Sequence, residues 1–218
     1  MPAPFPSELT DHIQRSGVIA VLVLDRADDA VPLAHALLEG GVDIMELTLR
    51  TPAAIEGLRR IKADVPEMTA GIGTILIPEQ VEQVVDAGAV FGVAPGLNPR
   101  VVEKAQQIGL PFSPGVATPT DIERAVELGC NLLKFFPAEP LGGLKYLKGM
   151  SAPYAHLDLK YVPLGGINQD NLASYLSFPS ILAVGGSWIA ARPLIQNNDW
   201  AQITENARRA VEVVRARS

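Results

Sequence analysis

Little in this chain is suited to metal binding or cross-linking: it has one cysteine, Cys130, and three histidines, His12, His35 and His156. A lone cysteine permits no internal disulfide and suits a reducing compartment. No two histidines stand at a ligand-like spacing, so a metal site is not expected. Positive charge is also scarce, with 18 Lys and Arg against 24 Asp and Glu and a formal net charge of −6. Only the tail from Arg208 to Arg217 is locally basic, and Glu212 and apolar residues interrupt it, as on a solvated helix face. The basic patch that nucleic-acid binding requires is missing. So are an apolar run near the roughly 18 residues of a membrane span and an N-terminal basic stretch followed by an apolar one. The expectation is a soluble cytoplasmic protein with neither a nucleic-acid nor a membrane partner. Met1 to Pro6 reads as a loose arm ahead of the first helix.

What the chain does have is regular alternation. Its 218 residues, 48% hydrophobic and 19% charged, suffice for one core and one domain spanning 1–218. Apolar strand candidates begin near Val18, Ile44, Met68, Ala89, Leu110, Asn131, Asp158 and Ile181, about 21 to 27 residues apart. That spacing is one strand–helix unit with its loops. Between them lie helical stripes, such as Ala30, Leu33, Ala34, Leu37 and Leu38. Thr51-Pro52, Pro78-Glu79, Asn98-Pro99 and Thr118 to Asp121 mark helix starts. Gly40-Gly41, Gly88, Gly109 and Gly129 mark helix ends. Eight such units predict an α/β fold, a (β/α)₈ TIM barrel rather than an open doubly wound sheet. A helix from Pro6 to Arg15 is expected to cap its floor, and Trp188 to Ala191 to form a short extra helix.

In such a barrel the chemistry sits where strands end. Lys134 lies in the apolar run Leu132-Leu133-Lys134-Phe135-Phe136-Pro137, where an ammonium needs a counter-charge or loses its proton. It is either a snorkelling or ion-paired lysine or a nucleophile for a carbonyl carbon. Lys160, between Leu159 and Tyr161, is the rival nucleophile but stands short of its strand end. In Glu46-Leu47-Thr48-Leu49-Arg50 the leucines should meet the helices, sending Glu46, Thr48 and Arg50 inward. That trio is a structural ion pair or part of a catalytic site. Gly165-Gly166 and Gly185-Gly186, with Ser187, close the last two strands, where barrels of this kind hold phosphate. Gly71-Ile72-Gly73 lacks the third glycine of a dinucleotide fingerprint and reads as space left for substrate. Cys130 sits away from this rim, and Trp188 and Phe136 either line the pocket or pack.

With these residues in place the chain resembles the 2-keto-3-deoxy-6-phosphogluconate (KDPG) aldolases and the related 4-hydroxy-2-oxoglutarate aldolases. The likeness runs from about Val18 to Trp188 and rests on Glu46-Leu-Thr-Leu-Arg-Thr51, Gly73-Thr74, Pro95-Gly96-Leu97, Lys134-Phe-Phe-Pro-Ala-Glu139 and Gly185-Gly-Ser-Trp188. It implies a class I aldolase of the Entner–Doudoroff pathway, cleaving a phosphorylated keto acid to pyruvate and glyceraldehyde 3-phosphate. Lys134 would form the imine and Glu46 act as general acid/base. Arg50 and Thr74 would hold the pyruvyl carboxylate, and Pro95 and Phe136 shape the pocket. Gly165, Gly166, Gly186 and Ser187 would take the phosphate. Neither metal nor cofactor is implied, and the family forms homotrimers. Two residues depart from the pattern. Leu164 stands where threonine is common, which opens 2-keto-3-deoxy-6-phosphogalactonate or 4-hydroxy-2-oxoglutarate as substrate, and Val23 stands where some relatives have arginine. A sugar-phosphate isomerase or epimerase, with Lys134 merely electrostatic, and a non-catalytic phosphate binder also stay open.

Overall fold

Strands and helices alternate along a computed structural model that describes residues 5–216. In chain order the elements are α1 (Ser7–Ser16), β1 (Val18–Leu22), α2 (Ala30–Glu39), β2 (Ile44–Thr48), α3 (Ala53–Asp64), β3 (Thr69–Gly73), α4 (Pro78–Asp86), β4 (Gly92–Val93) and α5 (Pro99–Ile108). There follow β5 (Phe112–Ser113), β6 (Gly115–Val116), α6 (Pro119–Glu127), β7 (Leu132–Phe135), α7 (Gly143–Ser151), β8 (Lys160–Pro163), α8 (Leu172–Leu176), β9 (Val184–Gly186), α9 (Arg192–Gln196) and α10 (Trp200–Arg215). The helix starts obey their caps. Asn98 accepts from the Arg100 N–H at 3.1 Å, and Thr118 and Asp121 form a reciprocal capping box.

Every strand pairing is parallel. The result is an α/β fold on a curled sheet, with six strands in the order β5-β4-β3-β2-β1-β9 and three in the order β6-β7-β8. Only Pro114 separates β5 from β6; a proline has no N–H to give to a ladder, so the strand is interrupted there. Single bridges, Tyr161 to Ile181 and Leu164 to Gly185, connect β8 with the β9 segment.

Apolar residues form two layers, as strand alternation requires. Met45, Leu47, Leu133 and Phe135 belong to the larger cluster beneath the helices. Ile19, Ile44, Phe91, Val93, Leu132 and Val162 form a separate inner cluster, and Phe5 and Ile13 join it. Glu46 and Lys134 have the inner parity, two residues beyond Ile44 and Leu132 in the strand direction. On β2 and β7 the inner face is thus apolar at the strand start and charged further along.

Two expectations need correction. The described part of the N-terminal arm is docked: Phe5 is buried and its N–H donates to Asn131 Oδ1 at 3.0 Å; residues 1–4 lie outside the described residues, as does Arg217. Residues 188–191 form no helix, because the short helix here is α9, starting at Arg192. Pro193 occupies its first turn, where a missing N–H costs nothing.

Candidate active site

β2 and β7 deliver one carboxylate and one ammonium to the same buried point. Lys134 Nζ stands 3.0 Å from Glu46 Oε1 and 3.4 Å from Oε2. Their side chains are 7% and 3% exposed, so the pair is almost wholly withdrawn from water. The Phe136 ring centroid lies 5.7 Å from Nζ, a distance at which its face attracts a cation. Lys160, the rival, bonds the exposed Asp158 at 2.8 Å and lies outside this cavity.

Glu46 reaches the lysine because of a glycine. A Cβ on Gly73 would stand 1.8 Å from Glu46 Oε1, so any side chain there evicts the carboxylate. Gly71 serves another neighbour, since its Cβ would meet the Phe91 ring at 2.4 Å. The expectation that Gly71 and Gly73 leave room for substrate is therefore corrected: both spaces are filled from within. Thr74, next in line, is left-handed at φ +63°. For a β-branched residue that conformation costs about 1–3 kcal/mol and is kept where surrounding structure or function demands it.

Arg50 is not on the strand, as alternation had suggested. β2 ends at Thr48, the Arg50 N–H turns back to Thr48 O at 2.7 Å, and the side chain is exposed. It nevertheless lines the cavity, and Thr48, beside it, donates its hydroxyl to Leu22 O at 2.8 Å, tying β1 to β2.

One cavity of about 490 Å³ gathers these groups. Lys134, Glu46, Arg50, Thr74, Pro95 and Phe136 line it, and so do Gly165, Gly166, Gly186 and Ser187. All ten anticipated residues therefore line one cavity. Ser187 does not head a helix, as its expected role required, since 188–191 is a turn. Trp188 packs: a Cβ on Gly186 would lie 1.5 Å from its indole ring. Cys130 is remote, and burial pushes its thiol up to about 11, leaving it inert at neutral pH. No cluster of three or more His, Cys, Asp or Glu among the described residues is placed to hold a metal ion.

The family model for KDPG and KHG aldolases matches residues 9–206. The chain belongs to the KDPG and KHG aldolase family. It is 43% identical over 204 residues to the 2-dehydro-3-deoxy-phosphogluconate aldolase of Treponema pallidum, covering 94% of this chain and 96% of that protein. It is 39% identical over 208 residues to that of Haemophilus influenzae, covering 95% and 97%. Among solved structures, the KDPG aldolase from Legionella pneumophila with pyruvate captured at low pH as a covalent carbinolamine intermediate superposes with a TM-score of 0.87. Identity is 39%, covering 91% of this chain and 96% of that one. Seen as a KDPG/KHG-family site, the cavity also has walls that strand-end motifs did not single out as site residues: Val21, Leu22 and Ile167. Val21 was findable from strand parity, since it alternates with Ala20 and Leu22; Ile167 lies in a loop that no periodicity governs.

Proposed function

We propose that this protein is a class I aldolase that cleaves KDPG to pyruvate and glyceraldehyde 3-phosphate, as in the Entner–Doudoroff pathway. The observation that carries the reading is the buried Lys134–Glu46 pair at 3.0 Å in a cavity that also offers Arg50. The Arg50 guanidinium suits a carboxylate because it donates two parallel hydrogen bonds, and Thr74 adds a hydroxyl. Glu46 takes a proton from Lys134, and the freed amine attacks the C2 carbonyl. Glu46 returns that proton to the departing C2 hydroxyl, and loss of water gives a protonated imine that draws electrons from the C3–C4 bond. Glu46 then accepts the C4 hydroxyl proton, the bond breaks, and the electrons rest in an enamine. Protonation at C3 and hydrolysis release pyruvate and restore the lysine. Gly165, Gly166, Gly186 and Ser187 hold the phosphate at the far end, through backbone donors and one hydroxyl.

A second substrate reading has its own support. Leu164 lines the cavity beside Gly165 and has no hydrogen bond to offer a C4 hydroxyl, which favours 2-keto-3-deoxy-6-phosphogalactonate, or 4-hydroxy-2-oxoglutarate, over strict gluconate selectivity. We also read the curled sheet as a closed eight-strand barrel in one domain over 1–218. In support, β5 and β6 join through Pro114 and two bridges connect β8 to the β9 segment. α1 serves as its floor cap, with Ile13 in the inner cluster and His12 Nε2 2.8 Å from Asp43 Oδ2. A homotrimer is the family's assembly; Leu76 and Ile77, each 49% exposed, supply apolar surface near the rim. A cytoplasmic location suits the single buried cysteine, and no helix among the described residues is long and apolar enough to cross a membrane.

Borohydride reduction in the presence of pyruvate tests the chemistry. A stable adduct on Lys134, absent in Lys134→Ala, is the expected result. No adduct returns the protein to the isomerase or phosphate-binder readings, and an adduct on Lys160 refutes the assignment of the nucleophile.

A further inference from the structure

We propose that Tyr175 is a positioning residue for the anion-binding loop of the active site, acting through Glu139. The proposal rests on the reading of the loop after β8 as the phosphate site. That loop, Leu164 to Ile167, is held from outside by its carbonyls. The Ala138 N–H donates to Leu164 O at 2.7 Å and the Glu139 N–H to Gly165 O at 2.9 Å. Asn171 Nδ2 donates to Gly166 O at 3.2 Å, while Asn171 Oδ1 accepts from the Asn168 N–H at 2.9 Å.

In a trans peptide the N–H points opposite to the carbonyl that shares its plane. Fixing Gly165 O on Glu139 therefore turns the Gly166 N–H the other way, and fixing Gly166 O on Asn171 does the same for the Ile167 N–H. Gly166 and Ile167 both line the cavity, and neither amide has an acceptor among the described residues. Two adjacent donors on the cavity wall form a concave site for an oxyanion. Their aim depends on Glu139 staying where it is.

Glu139 is held there by Tyr175, whose hydroxyl donates to Glu139 Oε1. Tyr175 is 2% exposed, on α8, the helix whose first turn Asn171 precedes. Two glycines make room for the contact. A Cβ on Gly143 would stand 2.8 Å from Glu139 Oε1 and 3.1 Å from the Tyr175 hydroxyl; one on Gly166 would stand 2.6 Å from Glu139 Cβ. Gly166 is left-handed at φ +84°, a conformation that glycine adopts freely. Burial, followed by the Glu139 hydrogen bond, raises the Tyr175 hydroxyl above its ordinary range, so it remains a donor throughout neutral and mildly alkaline pH.

The test is Tyr175→Phe, which keeps the ring and deletes the donor. Its kinetics are measured on KDPG and on 4-hydroxy-2-oxoglutarate, which lacks the phosphate, with inorganic phosphate as inhibitor. KM for KDPG and the phosphate inhibition constant should both rise about five- to tenfold, the size of one modest hydrogen bond. kcat on KDPG should stay within about twofold, and kcat/KM on 4-hydroxy-2-oxoglutarate and the yield of reduced pyruvate adduct should not change. Glu139→Gln, which keeps an acceptor for the phenol, should keep near wild-type KM, and Glu139→Ala should copy Tyr175→Phe. Equal losses on both substrates would mean that Tyr175 merely supports the fold, and an unchanged KM on KDPG would mean that it does nothing for the loop; either outcome overturns the proposal. If phosphate does not inhibit even the wild-type enzyme, the loop is no phosphate site and both readings fall. If wild type is inhibited and Tyr175→Phe equally so, only the role of Tyr175 fails.

Discussion

The strand starts (the floor) and the strand ends (the rim) of the inner face are built from residues of the same parity but opposite character. At the floor, Ile19, Ile44 and Leu132 close on Phe5 and Ile13 and bury hydrocarbon. Two residues further along β2 and β7, the positions facing the same interior are Glu46 and Lys134. The floor draws stability from burial, at about 1.5–3 kcal/mol for each large apolar side chain. The rim spends stability: two withdrawn charges meet at 3.0 Å, and in such pairs the desolvation cost can exceed the attraction. A fold meant only to be stable would continue the apolar layer upward. That it does not is the strongest physical sign that the upper layer is kept for chemistry.

The largest effect that this contrast predicts comes from separating the pair. Lys134→Met should abolish cleavage, by on the order of 10⁴-fold or more, since no other group forms the imine. It should also destabilise the fold by about 3–5 kcal/mol, because Glu46 is left buried and unpaired. Adding Glu46→Leu should recover that stability without recovering activity, a divergence that urea denaturation and turnover assays would show together. Glu46→Gln keeps the lysine able to react, so imine trapping should survive while cleavage slows by about 10²- to 10⁴-fold. Unchanged turnover in that variant would remove Glu46 from the acid/base role.

The next pair of changes sets rim against floor directly. Gly73→Ala places a methyl within 1.8 Å of Glu46 Oε1; the carboxylate must move, and kcat should drop about 10- to 100-fold, with a loss of stability no larger than that of splitting the pair outright. Ile13→Ala opens a hole in the inner floor cluster and should cost about 2–5 kcal/mol while leaving kcat/KM intact well below the melting temperature. If Ile13→Ala instead lowers kcat as much as Gly73→Ala does, the two layers are coupled and the contrast between them is wrong.

Much of this was legible before any coordinates. An ammonium inside an apolar strand, a carboxylate inward on another strand and glycine pairs at the last two strand ends need only alternation and the cost of burying charge. The partnership of Glu46 with Lys134 was harder to see, because 88 residues separate them and parity says which face a side chain takes, not what it meets across the interior. The position of Arg50 beyond the strand escaped for a local reason: β2 stops at Thr48, and beyond a strand's last residue the period of two no longer applies. Gly73 appeared to be empty space, because a glycine's occupant is visible only in three dimensions. The docking of Phe5 depends on Asn131, far along the chain, and a short apolar segment at a terminus carries no trace of such a partner.

The smallest predicted effect sharpens the contrast from the other side, by taking an ion pair at the rim that is not buried. Asp25, in the loop after β1, accepts from Arg192 Nε at 2.9 Å and from Gln196 Nε2 at 2.8 Å, joining that loop to α9. These hydrogen bonds, Arg192 first, hold its carboxyl well below the ordinary 3.8, at about 2. A depressed carboxylate stabilises the fold fully where it is ionised in both states, and in part where only the folded state is ionised. Its contribution is therefore complete above about pH 4 and fades as pH falls through 3.8 toward 2. Because the pair is open to solvent and salt, its contribution is expected to be slight. Thermal unfolding of wild type and Asp25→Asn between pH 2 and 5 should show two curves that converge at the acid end and part only slightly above pH 4, with the gap shrinking in high salt. A gap as large as that produced by splitting Glu46 from Lys134 would mean that exposure does not separate the two kinds of pair, and the physical basis for reading the buried one as functional would be lost.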